Sequence, residues 1–439
     1  MINALGLLKR RRFLPLFVTQ FLGAFNDNLF KTSMVLFATY AIFNDAAKEA
    51  NFNALATGIG ILPFFLLSAL AGQLADSHDK ARIIRIVKAA EIAIMAVGAT
   101  GLMLARGGFI NAGLAMMLGA VLLLGIHSTF FGPIKYAILP QHLAPCDVLG
   151  GTGLVEAGTY LAILAGTVVA GWIPIEGAAA TVLAIAVIGW LAGRQVPPAP
   201  REGPPLKLNY NPLTASWRLI SATMHIPRLF LAICAISFFW TIGSVLIIVF
   251  PPLVKNVLTA DERVASGVIA VFSVGVAIGS VIINTMLKGR ISARYAPASV
   301  IGMGIFVVLF SILARNWQSA PAGQLLGWSA FMAHPGALAV LATLLAIAVT
   351  GGMFVVPLYA FLTTTVEKDQ TARTVAANNV VNAGAMTIGA IVVLFLTTGL
   401  GVSSENMLLV VAGMCLISAG IAQRLHRVCD REDACLPCG

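Results

Sequence analysis

Four stretches of this chain set polar or ionisable side chains among long apolar runs, and their spacing indicates what those groups could do. The first is Gln20-Phe21-Leu22-Gly23-Ala24-Phe25-Asn26-Asp27-Asn28-Leu29-Phe30-Lys31. On a helix, Asp27 and Lys31 are about one turn apart and can pair, and Gln20 lies about two turns before Asp27 on the same face, with Asn28 beside it. An ionisable residue inside a membrane span costs roughly 2.5–3.5 kcal/mol on insertion scales and is functional by default. Such a stripe is expected to line a water-filled cavity. The second stretch is Gly132-Pro133-Ile134-Lys135-Tyr136. Lys135 either snorkels to the interface or presents a point positive charge to an anionic headgroup. The third, Gly150-Gly151-Thr152-Gly153-Leu154-Val155-Glu156, sets a second carboxylate on a glycine-rich helix that can pack closely or move. The fourth is Asn378 and Asn382, two amides on one helical face. Gln20, Asp27, Asn28, Lys31, Lys135, Tyr136, Glu156, Asn378 and Asn382 are the candidate substrate-binding residues.

These groups suit binding and carriage better than bond-making. His78, His127, His142, His225, His334 and His426 are scattered, with no HxxxH or HExxH spacing. No GxxxxGK[ST] loop occurs that would cradle a nucleotide. Cys429, Cys435 and Cys438 lack a nearby fourth ligand for zinc. No enzyme activity, catalytic residue, metal site or cofactor is expected.

The elements that must position these residues follow from composition. Of 439 residues, 59% are hydrophobic and 10% charged, whereas soluble domains run near 45–50% and about 25%. The surplus apolar surface must face lipid, and the backbone in lipid must be helical. Apolar runs near 13–43, 53–75, 83–105, 110–136, 148–172 and 174–193 predict six spans. Runs near 229–252, 264–287, 296–314, 337–365, 374–400 and 405–423 predict six more. The net charge of +10 reads as a topology signal rather than a nucleic-acid footprint. With both termini cytoplasmic, the inside segments carry most of the Lys and Arg, including Lys80, Arg82, Arg85 and Lys88, and the outside loops carry few. The expected protein is therefore an all-α, multi-pass inner-membrane protein, with no cleaved leader.

Residues 1–193 form one six-helix bundle and 229–423 another, with a cytoplasmic tail at 424–439. The linker 194–228 opens on a proline-rich stretch. Leu213, Trp217, Ile220 and Met224 then recur at helical spacing, which predicts an amphipathic interfacial helix. An internal echo supports repetition of the two halves: Phe131, Tyr136, Ala137 and Leu139 align with Phe354, Tyr359, Ala360 and Leu362 at one offset. The first six spans carry the charges. The second six are nearly pure hydrocarbon, an asymmetry that suits an amphiphile with one polar head.

Six helices, a linker and six helices form the plan of the major facilitator transporters. Gly72-Gln73-Leu74-Ala75-Asp76, followed by Lys80 and Arg82, resembles their signature GxLaDrxGrk, with Asp79 where that pattern usually has Gly. The resemblance implies a conformational latch of Gly72, Asp76, Lys80 and Arg82, in which Gly72 allows close helix approach and Asp76 sits at a helix N-terminus. The helix-one motif, the Pro133–Leu139 run and the segment from Gly153 through Glu156 to Gly166 resemble the bacterial lysophospholipid transporters of that class. Asn26 and Lys31 look most like the transporter part of long forms fused to an acyltransferase. The family implies that lysophospholipid moves from the outer to the inner leaflet without ATP, for reacylation. The acyltransferase is expected to be a separate protein and the transporter a monomer. By residue match Asp27, Lys135 and Glu156 carry over as the polar positions and Asp76 as the latch. A proton-coupled exporter of amphiphilic drugs on the same fold is the alternative.

Overall fold

The computed structural model describes residues 6–201, 209, 211–287, 292–321, 324–364 and 371–433. Twelve helices of twenty residues or more dominate the described residues. They are α1 (Leu14–Phe37), α2 (Ala46–Ser77), α3 (Lys80–Arg106), α4 (Ile110–Ala137), α5 (Pro145–Trp172), α6 (Ile175–Arg194), α7 (Pro227–Asn256), α8 (Glu262–Met286), α9 (Ala296–Arg315), α10 (Ala337–Thr364), α11 (Thr371–Gly399) and α12 (Ser404–Asp433). Ten of them are long and apolar enough to cross a membrane. The other two are α1, whose mean hydropathy is lowered by Gln20, Asn26, Asp27, Asn28 and Lys31, and α5, whose described apolar stretch is Ala157–Trp172. The protein is a multi-pass, all-helical membrane protein.

The helices pack into two compact units. One comprises Met1–Ala38 and Leu62–Ala215, the other Thr39–Ile61 and Ser216–Gly439. In the first unit α1 packs on α5 and α6, and α3 packs on α4 and α6. In the second, α7 packs on α11 and α12, and α9 packs on α10 and α12. Adding six to each helix number of the first set yields the second, so packing repeats where sequence similarity is faint. Phe131 and Phe354, the first pair of the internal echo, are buried in α4 and α10.

The segment that follows α1 from Thr39 and the first half of α2 belong to the second unit because charge holds them there. Lys255 near the end of α7 donates to the carbonyls of Thr39 and Phe43 and to Glu49 Oε1, while Asn256 donates to Glu49 Oε2. Glu49 is fully buried. A buried carboxylate persists only when paired and hydrogen-bonded, and here two donors from one neighbouring helix end, one on each oxygen, meet that need. Thr397 adds a bond to Asn51 from α11.

Contacts inside the second unit depend on missing side chains. The α8 and α10 backbones approach so closely that a Cβ at Gly279 would overlap the carbonyl of Val349, and one at Gly352 would overlap that of Val276. Backbone cannot rotate away as a side chain can. Gly279→Leu is therefore expected to lower stability by about 1–3 kcal/mol, the usual penalty of overpacking, read as a lower melting temperature in detergent. An unchanged melt would show that the two helices can separate freely.

The linker helix (Pro212–Met224) is present. Ala215, Ser216 and Thr223 are buried while Trp217 is 70% exposed. Its small residues thus face protein, and its indole faces outward. Leu213, the first residue of the predicted stripe, has a side chain outside the described ones.

Candidate functional site: polar clusters within the spans

The deepest polar cluster joins α1, α3 and α4. Lys88 and Glu91 form an ion pair on α3, one turn apart, with both side chains fully buried. Asn26 Nδ2 of α1 donates to Glu91 Oε1 at 3.0 Å. His127 Nε2 of α4 lies 3.3 Å from Glu91 Oε2. Room for the lysine stem comes from absent side chains: a Cβ on Gly23 would stand 2.9 Å from Lys88 Nζ, and one on Gly189 would stand 3.3 Å from Lys88 Cε. Phe131 lies under the ammonium at 5.7 Å from its ring centre. Lys88, counted with the cytoplasmic charges on sequence, is instead a core residue. Pattern reading missed Glu91 and His127. The available signal was Lys88-x-x-Glu91, an opposite-charge pair at helical spacing inside an apolar run.

Asp27 sits beside this cluster. Its Oδ2 accepts from Ser128 of α4 at 2.7 Å, and its buried Oδ1 has no partner among the described residues. Sequence spacing allowed a pair with Lys31, but Asp27 meets Ser128 instead, and Lys31 is half-buried. Asn28 turns back to the carbonyl of Ala24 in its own helix. Ser128 is a partner that no one-dimensional pattern could name.

A second polar chain crosses α1, α4 and α5. Lys135 Nζ is 3.4 Å from the Thr159 hydroxyl, which donates to Gln20 Oε1 at 2.8 Å. Lys135 also lies 4.9 Å from the ring centre of Tyr136. Gln20 and Lys135, separate on sequence, are thus joined through Thr159. The side chain of Glu156, one turn before Thr159 on α5, lies outside the described ones.

The second unit holds an amide–aromatic cluster. Ser237 of α7 donates to Asn382 Oδ1 at 2.7 Å. Tyr359 Oη of α10 is 2.7 Å from Trp240 Nε1 and 3.4 Å from Asn382 Nδ2. Asn378 is fully buried, and neither side-chain polar atom has a partner among the described residues. An orphaned buried amide costs about 1–3 kcal/mol, so Asn378 is a position where an incoming polar group would be stabilising. Asn378 and Asn382 share a helix face as expected; Ser237, Trp240 and Tyr359 join them only in three dimensions.

At the turn from α2 to α3, the residue that departs from the facilitator signature has its own task. Asp79 Oδ1 accepts the N–H groups of Ala81 at 2.8 Å, Arg82 at 3.3 Å and Ala199 at 3.2 Å. It caps α3 and also holds the start of the linker. Lys80 N–H donates to the Ala199 carbonyl, Arg85 to that of Val196, and Gln141 to that of Pro200. Prolines cannot donate, so this strap is fastened through its carbonyls and the one Ala199 amide. Around Gly72 no described atom lies within 4 Å of an added Cβ, so no close approach is seen there among the described residues. Arg82 is exposed, and the side chain of Asp76 lies outside the described ones.

His142, against the same strap, is buried. Burial pushes its pKa below the ordinary 6.5, partly opposed by the nearby backbone of Pro198 and Arg12. The neutral ring is thus favoured by folding. Its contribution to stability is complete above the ordinary value and declines as pH falls through it toward the folded value. A melt series from about pH 7.5 to about pH 5 is expected to fall less steeply in His142→Gln than in wild type; parallel series would rule this origin out.

No protein-family model matches the chain. It is 29% identical over 358 residues to a lysophospholipid transporter of Salmonella heidelberg, covering 80% of this chain and 78% of that one. It is 26% identical over 383 residues to the lysophospholipid transporter of Cronobacter sakazakii, covering 86% and 85%. Among solved structures it matches a bacterial homologue of the iron transporter ferroportin (TM-score 0.70, 11% identity, 95% of this chain and 98% of that one). It also matches a bacterial homologue of the lysosomal transporter Spinster (TM-score 0.67, 14% identity, 95% and 98%) and a D-xylose–proton symporter (TM-score 0.66, 13% identity, 94% and 97%). The fold is that of a major facilitator transporter. Its resemblance in sequence to lysophospholipid transporters is borne out by these relatives. The major facilitator plan also accounts for the two units and for their repeated packing.

Proposed function

We propose that this transporter moves lysophospholipids, such as lysophosphatidylethanolamine, from the outer to the inner leaflet of the bacterial inner membrane. The observation that carries the proposal is the similarity to lysophospholipid transporters over about four-fifths of the chain or more. The charge asymmetry supports it: Asp27, Lys31, Lys135 and Glu156 belong to the first unit, while the candidate binding residues of the second are the neutral Asn378 and Asn382. A zwitterionic headgroup needs one cationic and one anionic partner. Lys31 or Lys135 meets the phosphate, and Asp27 or Glu156 meets the ethanolamine ammonium. Gln20, Asn28, Tyr136, Asn378 and Asn382 supply neutral hydrogen bonds. The single acyl tail remains against apolar side chains and lipid, and lateral openings admit it during alternating access. Gly72, Asp76, Lys80 and Arg82 act as the latch. Both termini are cytoplasmic, and a separate acyltransferase restores the second acyl chain.

The test compares uptake of lyso-phosphatidylethanolamine, the diacyl lipid and a cationic amphiphilic drug in spheroplasts. Lysolipid alone should be taken up, and Glu156→Ala should abolish that uptake at normal expression. Drug extrusion without lysolipid uptake would assign the chain to the exporters instead.

A further inference from the structure

We propose that the Glu91–His127 pair, with Lys88 as its fixed counter-charge, is a proton-binding site inside the first unit. The argument begins with charge. Lys88 and Glu91 cancel each other, so the cluster is neutral while the imidazole is neutral, and one added proton gives it one positive charge. Salt bridging alone would need no third titratable group. Yet His127 is brought to 3.3 Å from Glu91 Oε2 with its side chain 3% exposed.

The hydrogen-bond inventory points the same way. Among the described residues neither ring nitrogen of His127 makes an aligned hydrogen bond, and the buried Asn26 Oδ1 and Asp27 Oδ1 also lack partners. In the neutral ring one nitrogen is an acceptor; in the imidazolium both are donors. The layer formed by Asn26 and Asp27 on α1 and His127 and Ser128 on α4 therefore holds more acceptors than donors. A proton on His127 corrects that imbalance and strengthens the contact to the Glu91 carboxylate.

The neighbours are defined on every side. α3 presents Lys88 and Glu91. α1 presents Asn26 and, through Ser128, Asp27. α6 presents Gly189 and Gly193 to the Lys88 stem, and its Arg194 turns to the Trp190 ring at 5.0 Å. The ammonium on Glu91 disfavours a metal cation in the same place, which leaves the proton as the ligand. Protonation puts positive charge one residue from Ser128, the donor to Asp27, so the state of the site is felt at the candidate headgroup residue.

Histidine NMR on the purified full chain, with the ring carbon labelled, tests this without any lipid assay. The chain has six histidines, and the signal lost in His127→Gln identifies the one of interest. That signal is expected to move from its neutral to its imidazolium position as the pH is lowered. In Lys88→Met/Glu91→Gln, which removes both charges together, it is expected to stay neutral. A stationary signal in wild type overturns the proposal, and so does a signal that still moves in the double variant. The wild-type titration alone decides against the site if the double variant fails to accumulate. Because no transport is measured, failure here leaves the lysophospholipid reading standing.

Discussion

Asp27→Ala is expected to abolish lysolipid uptake while leaving a folded protein in the membrane. The energies explain why these effects separate. A carboxylate within a span costs roughly 2.5–3.5 kcal/mol to insert. Its one described hydrogen bond, from Ser128, returns about 1.5–3 kcal/mol as a bond to a charged group. The sum is close to zero, so folding gains little from Asp27 and its removal costs little. The unpartnered Oδ1 is the atom left over for a ligand, and an ammonium is the donor it suits. Asp27→Asn sharpens the test, since it keeps the size and an acceptor for Ser128 but loses the charge. Both variants should lower uptake at least about tenfold, the equivalent of one lost interaction of about 1.4 kcal/mol, with unchanged abundance and melting temperature. Wild-type uptake by Asp27→Asn would show that the charge has no part in transport.

Glu91→Ala is expected to behave in the opposite way and fail at the level of the fold. Lys88 would then be a buried ammonium with Gly23, Gly189 and the face of Phe131 around it. Breaking a buried pair from one side costs about 3–5 kcal/mol, whereas replacing both members with apolar groups of similar size is often neutral or stabilising. The single variant should accumulate poorly and melt well below wild type, and Lys88→Met/Glu91→Ala should recover most of that loss. Equal damage in single and double variants would mean that the pair itself is worth more than its desolvation costs. Melting curves and membrane abundance of the three proteins read this directly.

Together these predictions separate two kinds of intramembrane charge. Asp27 is under-satisfied, with one buried oxygen unpartnered among the described residues, while Glu91 is surrounded by Lys88, His127 and Asn26. Hydropathy treats them alike. The difference lies in the partners, which come from other helices at separations of 65 and 101 residues along the chain.

The number of helices, their membrane setting and the plan of two six-helix halves were legible in the sequence, because lipid forces every spanning backbone into a helix and leaves composition to mark it. Asp27 was legible for the same reason, as a charge where charge is expensive. Only tertiary structure decided what those charges meet. It turned Lys88 from a surface cation into a core residue, drew Glu91 and His127 to it from α3 and α4, and replaced the Asp27–Lys31 pair with Asp27–Ser128. It also assigned residues 39–61 to the second unit, where Lys255 neutralises Glu49. Local sequence states what a residue costs in a membrane; which neighbour offsets that cost depends on helix packing, and packing follows from glycines such as Gly23 and Gly279, whose effect is felt on a different helix from their own.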